Sequence, residues 1–274
     1  MSASEARAPA LALERITCIF PATDRIAPPY TAVRELSLQV APGEFVSIVG
    51  PTGCGKSTLL NVAAGLLAPS AGIVRVAGEP LRGLNRRAGY LFQAEALLPW
   101  RSARENVAAG LQFRGIERRH ALQRADEWLG RVGLAGFGDH YPHQLSGGMR
   151  RRVALAQTLI LDPAIVLMDE PFSALDVQTR QLMENELLDL WSADRKSVVF
   201  ITHDLEEAIS LSDRVVVLSA GPATRAIGEF VIGLARPRDV AEVRLTRGFL
   251  ELHREIWELL KAEVLKGHAQ IQRA

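Results

Sequence analysis

The spacing of hydrophobic positions changes as the chain runs. Over residues 13–47 apolar and polar positions alternate, as at Leu36, Leu38 and Val40, which predicts strands with one face buried. A polar, proline-rich stretch at 21–30 interrupts them and reads as a loop. Phe45-Val46-Ser47-Ile48-Val49 is a short, almost unbroken apolar run, the form of a strand covered on both faces. A helix is expected over 56–67, ending near Pro69, and further strands over 72–78 and 89–92.

From about 95 to 161 the pattern becomes helical, with helices expected at 104–113 and 117–132. In the second, Leu122, Ala125, Leu129 and Val132 share one face. A third should start after Ser146, pass through Leu155 and Leu159, and stop before Pro163. Strands then return at 165–168, 197–202 and 214–218, separated by helices at 179–191 and 205–211. Such alternation predicts an α/β protein built on a parallel sheet, with 95–161 as an inserted α-helical subdomain, and an antiparallel β subdomain is expected beside them. Residues 246–265 carry Phe249, Leu252, Ile256, Leu259, Leu260 and Val264 at helical spacing, either a helix packed on its own domain or an interaction helix. The domain boundaries are accordingly a flexible tail at 1–12, the main domain at 13–245, and a C-terminal helix and tail at 246–274.

Composition narrows the class without naming it. The chain has 274 residues, 48% hydrophobic and 23% charged, enough to bury a sizeable core. A formal net charge of +1 and the lack of a basic stripe predict no nucleic-acid partner. The two cysteines are Cys18 and Cys54. The second lies in a phosphate-wrapping loop, so no disulfide is expected and a reducing compartment is. No secretory signal and no spanning apolar run is evident, so any membrane role would have to come through a partner.

The chemistry starts at Gly50-Pro51-Thr52-Gly53-Cys54-Gly55-Lys56-Ser57-Thr58. This is a Gly-x-x-x-x-Gly-Lys-Ser phosphate loop, set between an apolar strand and a helix. Its glycines let successive backbone N–H groups turn inward, and the helix N-terminus adds partial positive charge, so the loop suits a triphosphate. Lys56 is expected on the β- and γ-phosphates, the Ser57 hydroxyl on Mg²⁺, and Thr58 on the α/β-phosphates. Ile165-Val166-Leu167-Met168-Asp169-Glu170 is an apolar strand that delivers two carboxylates at its C-terminal end. Asp169 would reach the Mg²⁺ shell. Glu170, on the other side of the pleat, would polarise an attacking water.

Leu145-Ser146-Gly147-Gly148-Met149 resembles the LSGGQ motif of ABC transporter ATP-binding subunits. The order of motifs is also similar: phosphate loop, Gln93, LSGG, Asp169-Glu170, Ser173-Ala174-Leu175-Asp176, then His203. The resemblance runs over about residues 13–265. It implies a P-loop NTPase core, ATP with Mg²⁺, and a head-to-tail homodimer. In that dimer Ser146, Gly147 and Gly148 of one copy cap the γ-phosphate held by the other. It further implies that His203 contacts the γ-phosphate and steadies Glu170 and its water. Gln93 would touch Mg²⁺ and water and sense a membrane partner, and Asp176 would lie at the dimer seam. An aromatic ring upstream of the phosphate loop should stack on adenine. Phe20 fits, and the long following loop makes Tyr30 its rival. Met149 stands where glutamine is commonest. Arg150-Arg151-Arg152 reads as a solvated helix face or as charge steering toward the opposing nucleotide.

Leu97-Leu98-Pro99-Trp100-Arg101 with Glu105-Asn106-Val107, Asp213–Ser219, Arg236-Pro237-Arg238 and the C-terminal helix resemble the nitrate/sulfonate/taurine importer ATPases. That branch implies a motor for uptake of a small solute, peripheral at the cytoplasmic face of the inner membrane. It would work on separate integral permease subunits, with a solute-binding protein acting indirectly. Leu98, Pro99 and Trp100 would either line the groove that receives the permease or pack the helical lobe. The alternatives are an exporter motor, a non-transport ABC ATPase, and a catalytically inactive binder. Lys56, Glu170 and His203 together argue against the last.

Overall fold

The computed structural model describes residues 8–22, 28–94 and 96–271. The chain opens with β1 (Leu11–Phe20) and β2 (Tyr30–Val40). β3 (Phe45–Val49) then leads through the phosphate loop into α1 (Lys56–Ala63). β4 (Ala71–Val76), β5 (Glu79–Pro80) and β6 (Ala88–Leu91) follow. Next comes the helical lobe of α2 (Ala103–Phe113), α3 (Arg118–Arg131) and α4 (Gly147–Leu159). Strand and helix then alternate through β7 (Ile165–Asp169), α5 (Val177–Asp194), β8 (Ser197–Ile201), α6 (Leu205–Leu211) and β9 (Arg214–Leu218). β10 (Ala226–Val231), the short α7 (Val240–Val243) and α8 (Arg247–Ile271) complete it.

Two sheets result. One is antiparallel, in the order β2-β1-β4-β5. The other runs β10-β9-β3-β8-β7-β6, parallel except for β10 on β9. Every residue of β3, β7 and β8 is buried, which is why their sequences are apolar except at Ser47, Asp169 and Ser197. β8 lies between β3 and β7, so the segments leaving the C-terminal ends of all three meet at one edge of the sheet, where α/β proteins hold their ligands.

The lobe is a separate small core. Val107, Leu111, Ala125, Leu129, Val153 and Ile160 meet at its centre. A capping box starts α2: Ser102 accepts from the Glu105 N–H while Glu105 accepts from the Ser102 N–H. Fully buried Asn106 ties the preceding turn down through Leu98 N and the carbonyls of Leu98, Arg101 and Ser102. α8 packs on its own domain, inserting Phe249, Ile256 and Leu260 against α6 and β9.

Several expectations need correcting. Leu11 and Ala12, assigned to the tail, are buried in β1, because β1 is sandwiched between β2 and β4 and Leu11 pairs with both Val40 and Val76. The rest of the tail at 1–7, the centre of the loop at 23–27 and the end at 272–274 lie outside the described residues. α1 stops before 67: Gly65 has φ +70, and a Cβ there would fall 2.0 Å from the Gly83 carbonyl oxygen. β10 and α7 were not expected. β10 is half-buried at alternate positions and covers the edge of β9.

Candidate nucleotide site

The phosphate loop follows β3 and closes on itself. Gly53 and Gly55 have φ of +77 and +98, the left-handed conformation that glycine adopts without strain. Lys56 is buried, and its Nζ donates to the carbonyls of Gly50 (2.9 Å) and Pro51 (3.1 Å). The ammonium is thus held under the loop, pointed at the space a phosphate would fill. Cys54 is buried behind the loop, and burial pushes its thiol pKa up. Cys18 and Cys54 are both free thiols.

β7 ends at Asp169, whose Oδ1 accepts from the Ser57 hydroxyl at 3.1 Å. Burial is the largest influence on the Asp169 carboxyl and raises its pKa, assisted by Glu170 and opposed by Ser57, Lys56 and Tyr90. This is a carboxylate short of positive charge, paired with a hydroxyl across the mouth of the loop. Such a hard-oxygen pair fits Mg²⁺, with Gln93 near by. Among the described residues no group of three or more His, Cys, Asp or Glu side chains could hold a metal. These few protein ligands would leave the remaining positions to phosphate oxygens and water.

Glu170 reaches the cleft differently from the expected pleat alternation. It has φ +43, and it sits one residue beyond the strand. The turn is held by Glu170 N donating to Ile201 O (2.9 Å) and by the Ser173 hydroxyl donating to Glu170 O (3.0 Å). Left-handed backbone at a non-glycine residue costs about 1–2 kcal/mol. The turn places the carboxylate where Gln93 Nε2 (3.5 Å) and His203 Nδ1 (3.1 Å) both reach Oε2. Thr52, Gly53, Gly55, Lys56, Ser57, Thr58, Gln93, Glu170 and His203 line one open cleft.

The remaining predicted residues stand apart from it. Ser146 is exposed and caps α4, accepting from Met149 N at 3.3 Å, and Gly147 and Gly148 form its first turn. Asp176 is exposed and caps α5. None of these four lines the phosphate cleft. Phe20 and Tyr30 are direct cross-strand partners, both partly exposed. A Cβ on Gly221 would stand 3.3 Å from the Tyr30 hydroxyl and 3.7 Å from Gly53 O, so the tyrosine also borders the loop from behind.

Some contributors escaped the sequence reading. The Tyr90 hydroxyl donates to Asn61 Oδ1 at 3.1 Å, and burial, then the neighbouring Asp169, pushes its pKa up. Arg151 is neither a solvated residue nor a steering charge. It is buried and donates to the carbonyls of Pro171 and Phe92 (2.7 Å to the latter), stapling α4 to the segments carrying Gln93 and Glu170. Arg152 pairs with Glu186 at 2.6 Å, and Arg150 donates to Leu145 O at 2.9 Å. A run of three arginines gives no hint in sequence of which one faces inward. Trp100, by contrast, is 71% exposed, so it does not pack the lobe.

Parallel strands that carry an anion-binding loop, a buried carboxylate and a turned-out glutamate to a shared edge define the class: this is a P-loop ATPase. Residues 33–173 match the ABC transporter family, and the chain belongs to it. It is 48% identical over 237 residues to an uncharacterized ABC transporter ATP-binding protein of Methanocaldococcus jannaschii, covering 86% of each. It is 47% identical over 191 residues to the taurine import ATP-binding protein TauB of Yersinia pestis, covering 70% of this chain and 75% of that one. TauB of Mesorhizobium japonicum is 46% identical over 208 residues, with 76% and 80% covered. Among solved structures, a dimeric ATP-binding cassette in a post-hydrolysis state with ADP and Pi superimposes with a TM-score of 0.72. It is 32% identical and covers 82% of this chain and 100% of that one.

Proposed function

We propose that the chain is the ATP-hydrolysing motor of an importer for a small nitrate-, sulfonate- or taurine-like solute, working as a head-to-tail homodimer on separate permease subunits. The observation that carries this reading is the division of the site. Phosphate loop, Asp169, Glu170, Gln93 and His203 assemble within one chain, while exposed Ser146 and Asp176 and half-buried Gly147 and Gly148 stand outside the lining of that cleft. A helix N-terminus with free N–H groups is an anion-binding end. In one copy it has no phosphate to bind; against a second copy's cleft it has. The dimeric cassette neighbour supports that arrangement, and the TauB relatives support import.

In this site Lys56 and the loop amides neutralise the triphosphate, and Phe20 stacks on adenine. Ser57, Asp169 and Gln93 would hold Mg²⁺, which supplies charge neutralisation on the phosphates when bound. Glu170 accepts the proton of a water whose oxygen attacks the γ-phosphorus, and the bond to the ADP oxygen breaks. His203 holds Glu170 in place and meets the γ-phosphate. Ser146, Gly147 and Gly148 of the partner copy close on the same phosphate, so hydrolysis reopens the dimer and moves the permease. No helix among the described residues is long and apolar enough to cross a membrane, which suits a peripheral position at the cytoplasmic face.

The test is to tag the chain in its own host, purify what accompanies it from the membrane, and reconstitute that complex in vesicles with a solute-binding protein. ATP-dependent accumulation of taurine inside, relative to nitrate or an alkanesulfonate, is the expected result. Efflux would make it an exporter motor, and the absence of any membrane partner would end the transport reading.

A further inference from the structure

The proposed reaction needs two segments in register: the loop Ser173–Asp176, which in the proposed dimer would face the partner copy, and His203, which meets Glu170. One side chain joins them. Arg180, on the second turn of α5, donates from Nη2 to Leu175 O (3.1 Å) inside that loop. Its Nη1 meets Asp204 Oδ2 at 3.2 Å, on the residue after His203. Its Nε faces Glu207 Oε1 at 3.6 Å. Glu207 in turn accepts from the Thr202 hydroxyl at 2.6 Å, and that same oxygen accepts from Asp204 N at 3.0 Å. Both neighbours of His203 are therefore tied to the group that holds the partner-facing loop.

The contacts close a ring. Glu170 O is held by Ser173, the loop continues to Leu175, Leu175 O is held by Arg180, Arg180 holds Asp204, and His203 returns to Glu170 Oε2. We infer that Arg180 is a positioning residue for hydrolysis, transmitting the seating of the partner copy on the Ser173–Asp176 loop to His203 and Glu170. The fork geometry is what makes this specific. Guanidinium presents several donors in one plane and can serve a carbonyl and a carboxylate at once, whereas an ammonium is a single point. The inference rests on the roles assigned above to Glu170 and His203.

The experiment compares Arg180→Lys, Asp204→Asn and the double variant in the full-length protein, with Glu170→Gln alongside. Asn at 204 can still cap α6, as Asp204 does for Glu206 and Glu207, but it loses the charge. Expected for both single variants are a kcat at least about tenfold lower, with unchanged KM, nucleotide affinity and melting temperature. The double variant should fall no further than the singles, because both break one link. Wild-type kcat in either single variant would overturn the inference. So would losses that multiply in the double variant, or a loss seen only in melting temperature. If Glu170→Gln itself turns over normally, the reading of the site has failed rather than the role of Arg180.

Discussion

The phosphate cleft and the Ser146–Gly148 segment both lie at helix N-termini, yet they are built to different degrees of completeness. In the cleft, Lys56 is buried and hydrogen-bonded, Ser57 and Asp169 hold each other, and Glu170 is fixed by a strained turn with two side chains on one oxygen. At the other end the side-chain cap seen among the described residues is Ser146 on Met149 N, and Ser146 is itself exposed. The first is organised from within the chain; the second is not. On the function proposed above, a symmetric pair of catalytic centres would be encoded once, with one half folded in advance and the other left for the interface.

The comparison breaks most sharply at Glu170. Glu170→Gln removes the base but keeps the shape, so turnover should fall by about 10²–10⁴-fold with ATP binding retained and a stable ATP-bound dimer accumulating. Rapid-quench hydrolysis and size-exclusion chromatography with ATP check this, and normal turnover would remove the general-base role. Next is Gly147→Ala. Among the described residues a Cβ there meets the flexible end of Arg150, at 3.8 Å, so there is room for it. Its hydrolysis should still drop by about 10²–10³-fold, the scale of losing an anion-stabilising donor, while nucleotide binding to the monomer persists. Gly148→Ala is a poorer probe, because its Cβ would stand 2.9 Å from Thr179 Cγ2 and disturb the fold itself.

A smaller effect sharpens the cleft's outer edge. Phe20→Ala should weaken ATP binding by about 1–3 kcal/mol, the worth of one base stacked on an aromatic ring, with kcat at saturation preserved. If affinity is intact, Tyr30→Ala is the variant that should lose it. Titration calorimetry with a non-hydrolysable analogue decides between them.

The smallest effect lies beneath both regions. Glu184 is fully buried, and although Arg244 sits at 3.0 Å, burial dominates and raises its pKa to about 7 from 4.5. The folded chain keeps this proton at pH values where the unfolded chain has released it. Stability from this group is therefore full below about pH 4.5 and declines as pH rises toward about 7. Thermal melts of Glu184→Gln across that window should lack this decline, and an unchanged pH dependence would remove Glu184 as its source.

Much of the architecture was readable because the signals are local. A buried parallel strand is predominantly apolar, as β3, β7 and β8 are, and a helix core must repeat every three to four residues, as in α3. The missed pieces depend on distant partners. β10 has a Gly in its centre and counts as a strand only because β9 is there to pair with it. Leu11 and Ala12 belong to β1 rather than a tail only because β2 and β4 flank them.

The same boundary runs through the site. By itself the sequence determined the phosphate loop, the Asp169-Glu170 pair and the cap-and-glycine start of α4, because each is a contiguous stretch whose chemistry derives from backbone conformation and residue type. Only the tertiary structure decided that Glu170 turns out of its strand, that Arg151 points inward among three arginines, and that Arg180 ties the Ser173–Asp176 loop to His203. Those outcomes depend on the strand order β3-β8-β7-β6, set by pairing between strands far apart in the chain and invisible to any local pattern.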